Sequence, residues 1–272
     1  MNSQLPIAPE NPERRRVQLE AFGRMLDVLD ILRVKCPWDA KQPKGSLRPH
    51  TIEETFELAQ ALADNDPANI RKELGDVLLH IAFYSKIASE NGQFDIADVC
   101  DSLSDKLIFR HPHVFGNVKA ESTEEVLENW EQIKLREKGG NKTVLGGVPS
   151  ALPALIKANR IQEKVKNVGF DWEEPSQVWD KVAEEIEEVK AEIGRDDKEA
   201  LEMEFGDLLF AVVNAARLYG VNPENALEKT NRKFIARFNY LEQEVNRRGL
   251  NLKEMTLAEM DEIWNEAKKA LI

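Results

Sequence analysis

Two acidic patterns recur at one fixed interval, and that interval limits what the chain can fold into. Glu53-Glu54-x-x-Glu57 is followed by Glu73-Leu74-Gly75-Asp76, and Glu184-Glu185-x-x-Glu188 by Glu204-Phe205-Gly206-Asp207. Every acid of the first set lies 131 positions before its counterpart, and the step from Glu57 to Glu73 equals the step from Glu188 to Glu204, 16 residues. The apolar run after each aspartate also repeats, as Val77-Leu78-Leu79 and Leu208-Leu209-Phe210. Further on, Lys106/Arg110 echo Lys233/Arg237 and Trp130/Lys134 echo Trp264/Lys268, each at i, i+4. A solvated helix surface has no reason to hold such spacing. The chain reads as a tandem duplication whose acids have a task.

The apolar residues around the acids recur at helical period, and strand alternation is absent, so the fold class is all-α. Leu19, Phe22, Leu26 and Leu29 form one stripe of a first helix, Glu13–Val34. Further helices fit Thr51–Ala63, Pro67–Asn91, Ile96–Arg110 and Thr123–Lys138, then Ala154–Val168, Trp179–Ile193, Lys198–Tyr219, Pro223–Arg248 and Thr256–Ala270. The Gly- and Pro-rich stretch "KGGNKTVLGGVPSALP" separates the two series. The expected layout is a disordered N-terminal arm over 1–16, a first domain over 17–138, a linker over 139–153 and a second domain over 154–272.

Composition removes several function classes. A net charge of −12 argues against a broad basic surface for nucleic acid and favours a chain that holds cations. Cys36 and Cys100 are the only cysteines, so the expected setting is the cytoplasm rather than a disulfide-forming compartment. No run approaches the ~18 apolar residues of a membrane helix, and the N-terminal arginines have no apolar stretch behind them.

At ~100° per residue, Glu57 falls between Glu53 and Glu54 on the circumference of its helix, apart from a stripe of Ile52, Phe56 and Ala59. On the next helix Glu73 and Asp76 stand beside Ile70, Leu74, Val77 and Ile81. The short connection around "DNDP" makes the two helices antiparallel neighbours. Packing stripe on stripe then carries the carboxylates to a common edge, which Gly75 and Gly206 are expected to let approach closely. Converging carboxylates need a counter-charge. An oxygen-only site without Cys or His suits Mg²⁺, with Mn²⁺ as a substitute, and Mg²⁺ adds substrate phosphates to its shell. The downstream Lys and Arg fit a polyphosphate, and the reaction class is metal-assisted hydrolysis.

The doubled motif resembles that of the MazG family of nucleoside triphosphate pyrophosphohydrolases, in the all-α NTP pyrophosphatase superfamily. "EETFE…ELGD" and "EEIEE…EFGD" carry the likeness, with "CPWD", "HPHVFG", "GVPSALPAL" and "VGFDW", and it spans residues 20–270. The resemblance implies tandem MazG domains whose four-helix-bundle cores are completed by dimerisation. It implies Mg²⁺-dependent cleavage between the α and β phosphates, giving nucleoside monophosphate and pyrophosphate. By motif position it makes Glu185, Glu188, Glu204 and Asp207 metal ligands of the second repeat, and Glu54, Glu57, Glu73 and Asp76 those of the first. Glu184, with Glu185, becomes the catalytic candidate that orients or deprotonates water. Lys181, Lys233 and Arg237 would meet phosphates, and Trp264 and Lys268 would border the nucleotide. The expected partners are nucleoside triphosphates and a second copy of the chain, a homodimer or higher assembly, with neither membrane nor nucleic acid.

Other readings set the contrast. A helical scaffold whose acids bind a basic partner predicts no dependence on the ordered acids. A narrow enzyme for one damaged nucleotide stays within the superfamily and separates on a substrate panel. A di-iron bundle needs Glu-x-x-His pairs, and here the motif ends in aspartate. Cys36 lacks a partner base, and His111-Pro112-His113 reads as a turn. The denser basic set around Lys229, Arg232, Lys233 and Arg237 makes the second repeat the expected main site.

Overall fold

The computed structural model of the chain describes residues 11–43, 45–116, 118, 122, 133 and 143–271. Among these residues it is all-α without strands, and it divides into two compact units, 1–136 and 137–272. Apart from position 133, the expected helix Thr123–Lys138, with Trp130 and Lys134, lies outside the described residues, as do residues 1–10 of the expected arm and 139–142 of the expected linker. No helix among the described residues is long and apolar enough to cross a membrane.

In the first unit, α1 spans Pro12–Lys35, α2 Arg48–Asp64, α3 Pro67–Glu90, α4 Ile96–Arg110 and the single turn α5 Pro112–Phe115. Residues 12–16, expected in a disordered arm, instead open α1. The Asn11 side chain accepts from the Arg14 N–H and Pro12 occupies the first turn, where its missing N–H is harmless. Arg16 adds ion pairs to Glu13 and Glu20 one turn away on either side. Between α2 and α3, Asn65 takes a left-handed conformation (φ 52°) and returns its N–H to the carbonyls of Ala61 and Leu62. Asp66 then caps α3 by accepting from the N–H groups of Ala68 and Asn69, and Pro67 follows. Two residues suffice for the reversal, so α2 and α3 form a hairpin. α1 packs on α3, where Leu29 meets Leu47, Ala82, Phe83 and Ile87.

In the second unit, α6 spans Ala154–Lys166, α7 Val178–Glu192, α8 Lys198–Leu218, α9 Pro223–Arg247 and α10 Leu257–Ala270. α7 and α8 form the hairpin equivalent to α2 and α3, with Val178, Val182, Ala211 and Ala215 buried between them. α6 lies against α8, and the buried Gln162 donates from Nε2 to the Phe210 carbonyl at 2.8 Å. α10 packs on α9 around Leu241, Val245 and Ile263.

The seam of each hairpin corrects one expectation. The stripes of Ile52/Phe56 and Leu74/Ile81 do not close the first hairpin; these four residues are about half exposed (48, 54, 52 and 43%). The inward line runs from Leu47 through Thr51, Glu54, Leu58 and Ala61, facing Glu73, Val77, His80, Tyr84 and Ile87. Helical spacing permits both faces, and the line that holds the motif acids is the one that α2 and α3 share. The acids are therefore part of the seam rather than beside it, and an apolar face is left outside. Close approach at the glycines is absent too: a Cβ at Gly75 or Gly206 would meet nothing within 4 Å.

Candidate active site

Each hairpin brings three glutamates together. Carboxylate oxygens of Glu54, Glu57 and Glu73 lie within 4.8 Å of one another, and so do those of Glu185, Glu188 and Glu204. The seam explains the convergence. Glu54 and Glu57 are one turn apart on α2 and Glu73 faces them from α3; Glu185, Glu188 and Glu204 repeat this on α7 and α8. Asp76 and Asp207 stand one turn beyond Glu73 and Glu204, Asp76 half-buried and Asp207 exposed.

One glutamate in each cluster is buried, and it is not the same one. In the first repeat it is Glu73 of α3, 2% exposed; in the second it is Glu185 of α7, 4% exposed. Among the described residues, Oε2 of each is buried without a hydrogen-bond partner. A buried carboxylate oxygen left unpaired is costly, which suits a group that gains a ligand on binding a cation. Each buried glutamate has a lysine on its other oxygen. Lys72 Nζ is 2.8 Å from Glu73 Oε1, and Lys181 Nζ is 2.6 Å from Glu185 Oε1 and 2.9 Å from Glu184 Oε1.

The charges act on one another as this geometry requires. Lys72 is held above the usual lysine range first by its hydrogen bond to Glu73. Lys181 is raised first by its hydrogen bond to Glu185, then by that to Glu184. The Glu54 carboxyl is pushed up by burial, then by the charges of Asp76 and Glu57. The Glu188 carboxyl is pushed up first by the adjoining Glu185 carboxyl, then by desolvation. Clustered like charges that resist full ionisation, with oxygen-only donors, form a set that can hold a metal ion.

The remaining candidates stand apart from the acids. Lys233 and Arg237 lie on α9, and Trp264 and Lys268 on α10. Among the described residues none of the three cations forms an ion pair with the cluster; Lys268 Nζ donates to Asn265 Oδ1 at 3.0 Å, and Arg237 Nε is buried and unpartnered. Trp264 packs against the Leu241/Val245/Ile263 core, its ring 5.0 Å from that of Phe234.

Sequence reasoning missed two features of the first repeat. Lys72 sits next to a motif acid, and comparison at the 131-residue interval sets it against Met203. Thr51 Oγ1 is 2.7 Å from both His80 Nδ1 and Tyr84 OH, a half-buried polar trio. At the same interval these residues correspond to Val182, Ala211 and Ala215 of the second seam. That alignment was a signal available from sequence alone.

The model of the MazG nucleotide pyrophosphohydrolase domain matches the chain twice, at residues 42–115 and 173–241. Both acidic motifs fall inside the matched segments, whereas Trp264 and Lys268 lie beyond the second. A nucleoside triphosphate pyrophosphohydrolase of Escherichia coli (strain K12) is 45% identical over 258 residues, which is 92% of this chain and 98% of that protein. A Thermotoga maritima protein described as nucleoside triphosphate pyrophosphohydrolase/pyrophosphatase MazG is 44% identical over 250 residues, 91% of this chain and 95% of that one. The uncharacterized protein YabN of Bacillus subtilis (strain 168) is 46% identical over 236 residues, 86% of this chain and 48% of its own length.

Proposed function

The chain belongs to the MazG nucleotide pyrophosphohydrolase family, and from that premise we propose a Mg²⁺-dependent hydrolysis of nucleoside triphosphates to nucleoside monophosphate and pyrophosphate. The observation that carries this reading is the convergence of Glu185, Glu188 and Glu204, with a buried carboxylate oxygen that lacks a partner. Mg²⁺ bound there would neutralise the acids and polarise phosphate oxygens.

The chain's own groups do the rest. Glu185, Glu188, Glu204 and Asp207 are the proposed ligands, and Glu54, Glu57, Glu73 and Asp76 their equivalents. Glu184 is exposed at the rim, where its carboxylate orients the attacking water and takes its proton. Water oxygen bonds to phosphorus at the α/β bridge, the bridging P–O bond breaks, and pyrophosphate leaves with the electron pair. Lys181, already between Glu184 and Glu185, is placed to turn its ammonium to phosphate oxygens. Lys233 and Arg237 add charge from α9, and Trp264 and Lys268 border the nucleoside from α10.

Completion of the site involves a second copy. Ile52, Phe56 and Leu74 of the first hairpin, and Phe205, Leu209 and Val212 of the second, are all exposed. Apolar faces of this extent on helix hairpins call for cover, and two hairpins face to face make a four-helix bundle. Light scattering is expected to give at least twice the 31.0 kDa chain mass; a monomer at working concentration would overturn the bundle. The two unpaired cysteines, Cys36 and Cys100, suit a cytoplasmic setting.

The deciding experiment incubates the protein with Mg²⁺ and a panel of standard and damaged nucleoside triphosphates and reads the products by phosphorus NMR. Monophosphate with pyrophosphate is expected, and EDTA should stop the reaction. Diphosphate with orthophosphate, or full turnover in EDTA, would overturn the reading.

A further inference from the structure

We propose that Lys72 is a tethered cation that competes with divalent metal for the first repeat's carboxylates, so that the first repeat binds metal more weakly than the second. The inference rests on reading the two acidic clusters as metal sites. Lys72 Nζ stands 2.8 Å from Glu73 Oε1, 3.8 Å from Asp76 Oδ2 and 4.0 Å from Glu57 Oε2. These are three of the four candidate ligands of that repeat. Lys72 leaves Glu73 half satisfied, because Glu73 Oε2 remains buried and unpartnered.

The second repeat has no cation at the equivalent position. Position 203, equivalent to 72, is Met203, and its side chain is exposed. Among the described residues neither Glu204 nor Asp207 forms an ion pair. Lys181 meets one proposed ligand of the second repeat, Glu185, where Lys72 stands beside three of the first. It reaches Glu184 and Glu185 from its own helix, and its equivalent in the first repeat is His50, 3.6 Å from Glu53. Each cluster thus has a lysine on its buried glutamate, and only in the first does that lysine also stand within 4.0 Å of two further proposed ligands, Glu57 and Asp76.

A divalent ion entering the first cluster meets an ammonium within about 4 Å of the carboxylates it needs. It must displace that ammonium or bear its repulsion, and either weakens binding. The arm is flexible and 62% exposed, so it can swing into water when metal concentration rises. Lys72 is therefore a reversible competitor. It sets a threshold at which the first repeat fills after the second.

The test is Mn²⁺ binding to the metal-free full-length chain, read by the electron paramagnetic resonance of free Mn²⁺. A Glu204→Gln background silences the second site and isolates the first. There, Lys72→Met should tighten binding by about tenfold or more, while Lys72→Arg should keep it weak. The reciprocal Met203→Lys, with Glu73→Gln silencing the first site, should weaken the second by a similar factor. Equal affinities for wild type and Lys72→Met would overturn the competitor and leave the metal sites standing. Absence of Mn²⁺ binding at both repeats would overturn the metal reading and this inference together. Circular dichroism of each variant controls for folding, which the exposed position of Lys72 should leave intact.

Discussion

The two hairpins share their acids and differ in what surrounds them. The first seam carries Thr51, His80 and Tyr84 where the second carries Val182, Ala211 and Ala215, so hydroxyl and imidazole contacts replace an apolar contact. The buried glutamate of the first cluster pairs with Lys72 from α3, and that of the second with Lys181 from α7. The buried glutamate follows its lysine, Glu73 in one case and Glu185 in the other. Duplication has kept the positions of negative charge while the positive charge and the packing changed. That pattern fits the proposal that the acids hold a metal ion while each site has its own counter-charge.

The largest effect expected from this asymmetry is in turnover. Asp207→Ala and Asp76→Ala remove equivalent proposed ligands from equivalent helices. The second repeat has the denser basic set, and its lysine pairs with one proposed ligand where Lys72 stands beside three. Asp207→Ala should lower hydrolysis by roughly two orders of magnitude, and Asp76→Ala should leave most of it. The reverse result moves the main site to the first repeat. Full activity in both variants would remove the carboxylate mechanism altogether.

The next effect separates the two seams by stability. His80→Ala empties a buried position and takes a partner from Thr51, which then keeps Tyr84 and the Leu47 carbonyl. A cost of about 2 kcal/mol is expected, from the lost hydrogen bond and the space left behind. Amides of α2 and α3 should exchange faster while those of α7 and α8 do not. Equal acceleration in both hairpins would mean that the trio does not act locally.

Much of the fold was legible because helix ends are local chemistry. Pro67 and Pro223 open α3 and α9 where the sequence placed them, and Ile96–Arg110 was read to the residue. The seam was not legible. Ile52 and Phe56 read as the inward face because they are apolar, yet Thr51, Glu54 and Leu58 have the same periodicity and turn inward instead. Periodicity identifies a face without saying whether its partner is the next helix or another chain. The grouping of Glu54 and Glu57 with Glu73 was accessible from spacing plus a short turn. The Thr51–His80–Tyr84 trio shows in sequence only as three polar residues set against Val182, Ala211 and Ala215 at the 131-residue interval, which does not say that the three meet.

A smaller effect concerns how each hairpin is tied to the segment before it. Lys86 of α3 pairs with Asp30 of α1 at 2.8 Å, and Arg217, its equivalent on α8, pairs with Asp171 through two arms, one at 3.0 Å. Burial raises the Asp171 carboxyl, but the Arg217 hydrogen bond, the Trp172 N–H and nearby positive charge together outweigh it and hold it below its usual range. A depressed carboxyl stabilises the fold above its unfolded value near 3.8, and that stability disappears as pH falls through the lower folded value. Asp171→Asn should therefore cost about 1.5–2 kcal/mol at neutral pH. Its deficit relative to wild type should shrink in acid below about pH 4. A deficit independent of pH would assign the effect to packing.

The smallest expected difference lies at the start of the two helices that carry the second half of each motif. Asp66 and Asp197 are equivalent caps, 131 positions apart. Asp66 accepts from two N–H groups through one oxygen, at 3.0 and 3.2 Å, and Asp197 accepts from the Ala200 N–H at 3.0 Å. Replacing either with alanine should cost about 1 kcal/mol. The consequences should differ in kind. Pro67 follows Asp66, fixes its own φ at a helical value and disfavours helix at the residue before it. The start of α3 is thus specified twice, by side chain and by ring. Lys198 follows Asp197 and specifies nothing, so α8 has its cap alone. Asp66→Ala should leave the first turn of α3 nearly as protected from amide exchange as before, while Asp197→Ala should fray residues 198–201 of α8. Glu204 is only one turn further on, so fraying that reached it would also loosen the second cluster and weaken its hold on Mn²⁺ slightly. If both first turns kept equal protection, packing beneath α8 rather than its cap would set where that helix begins.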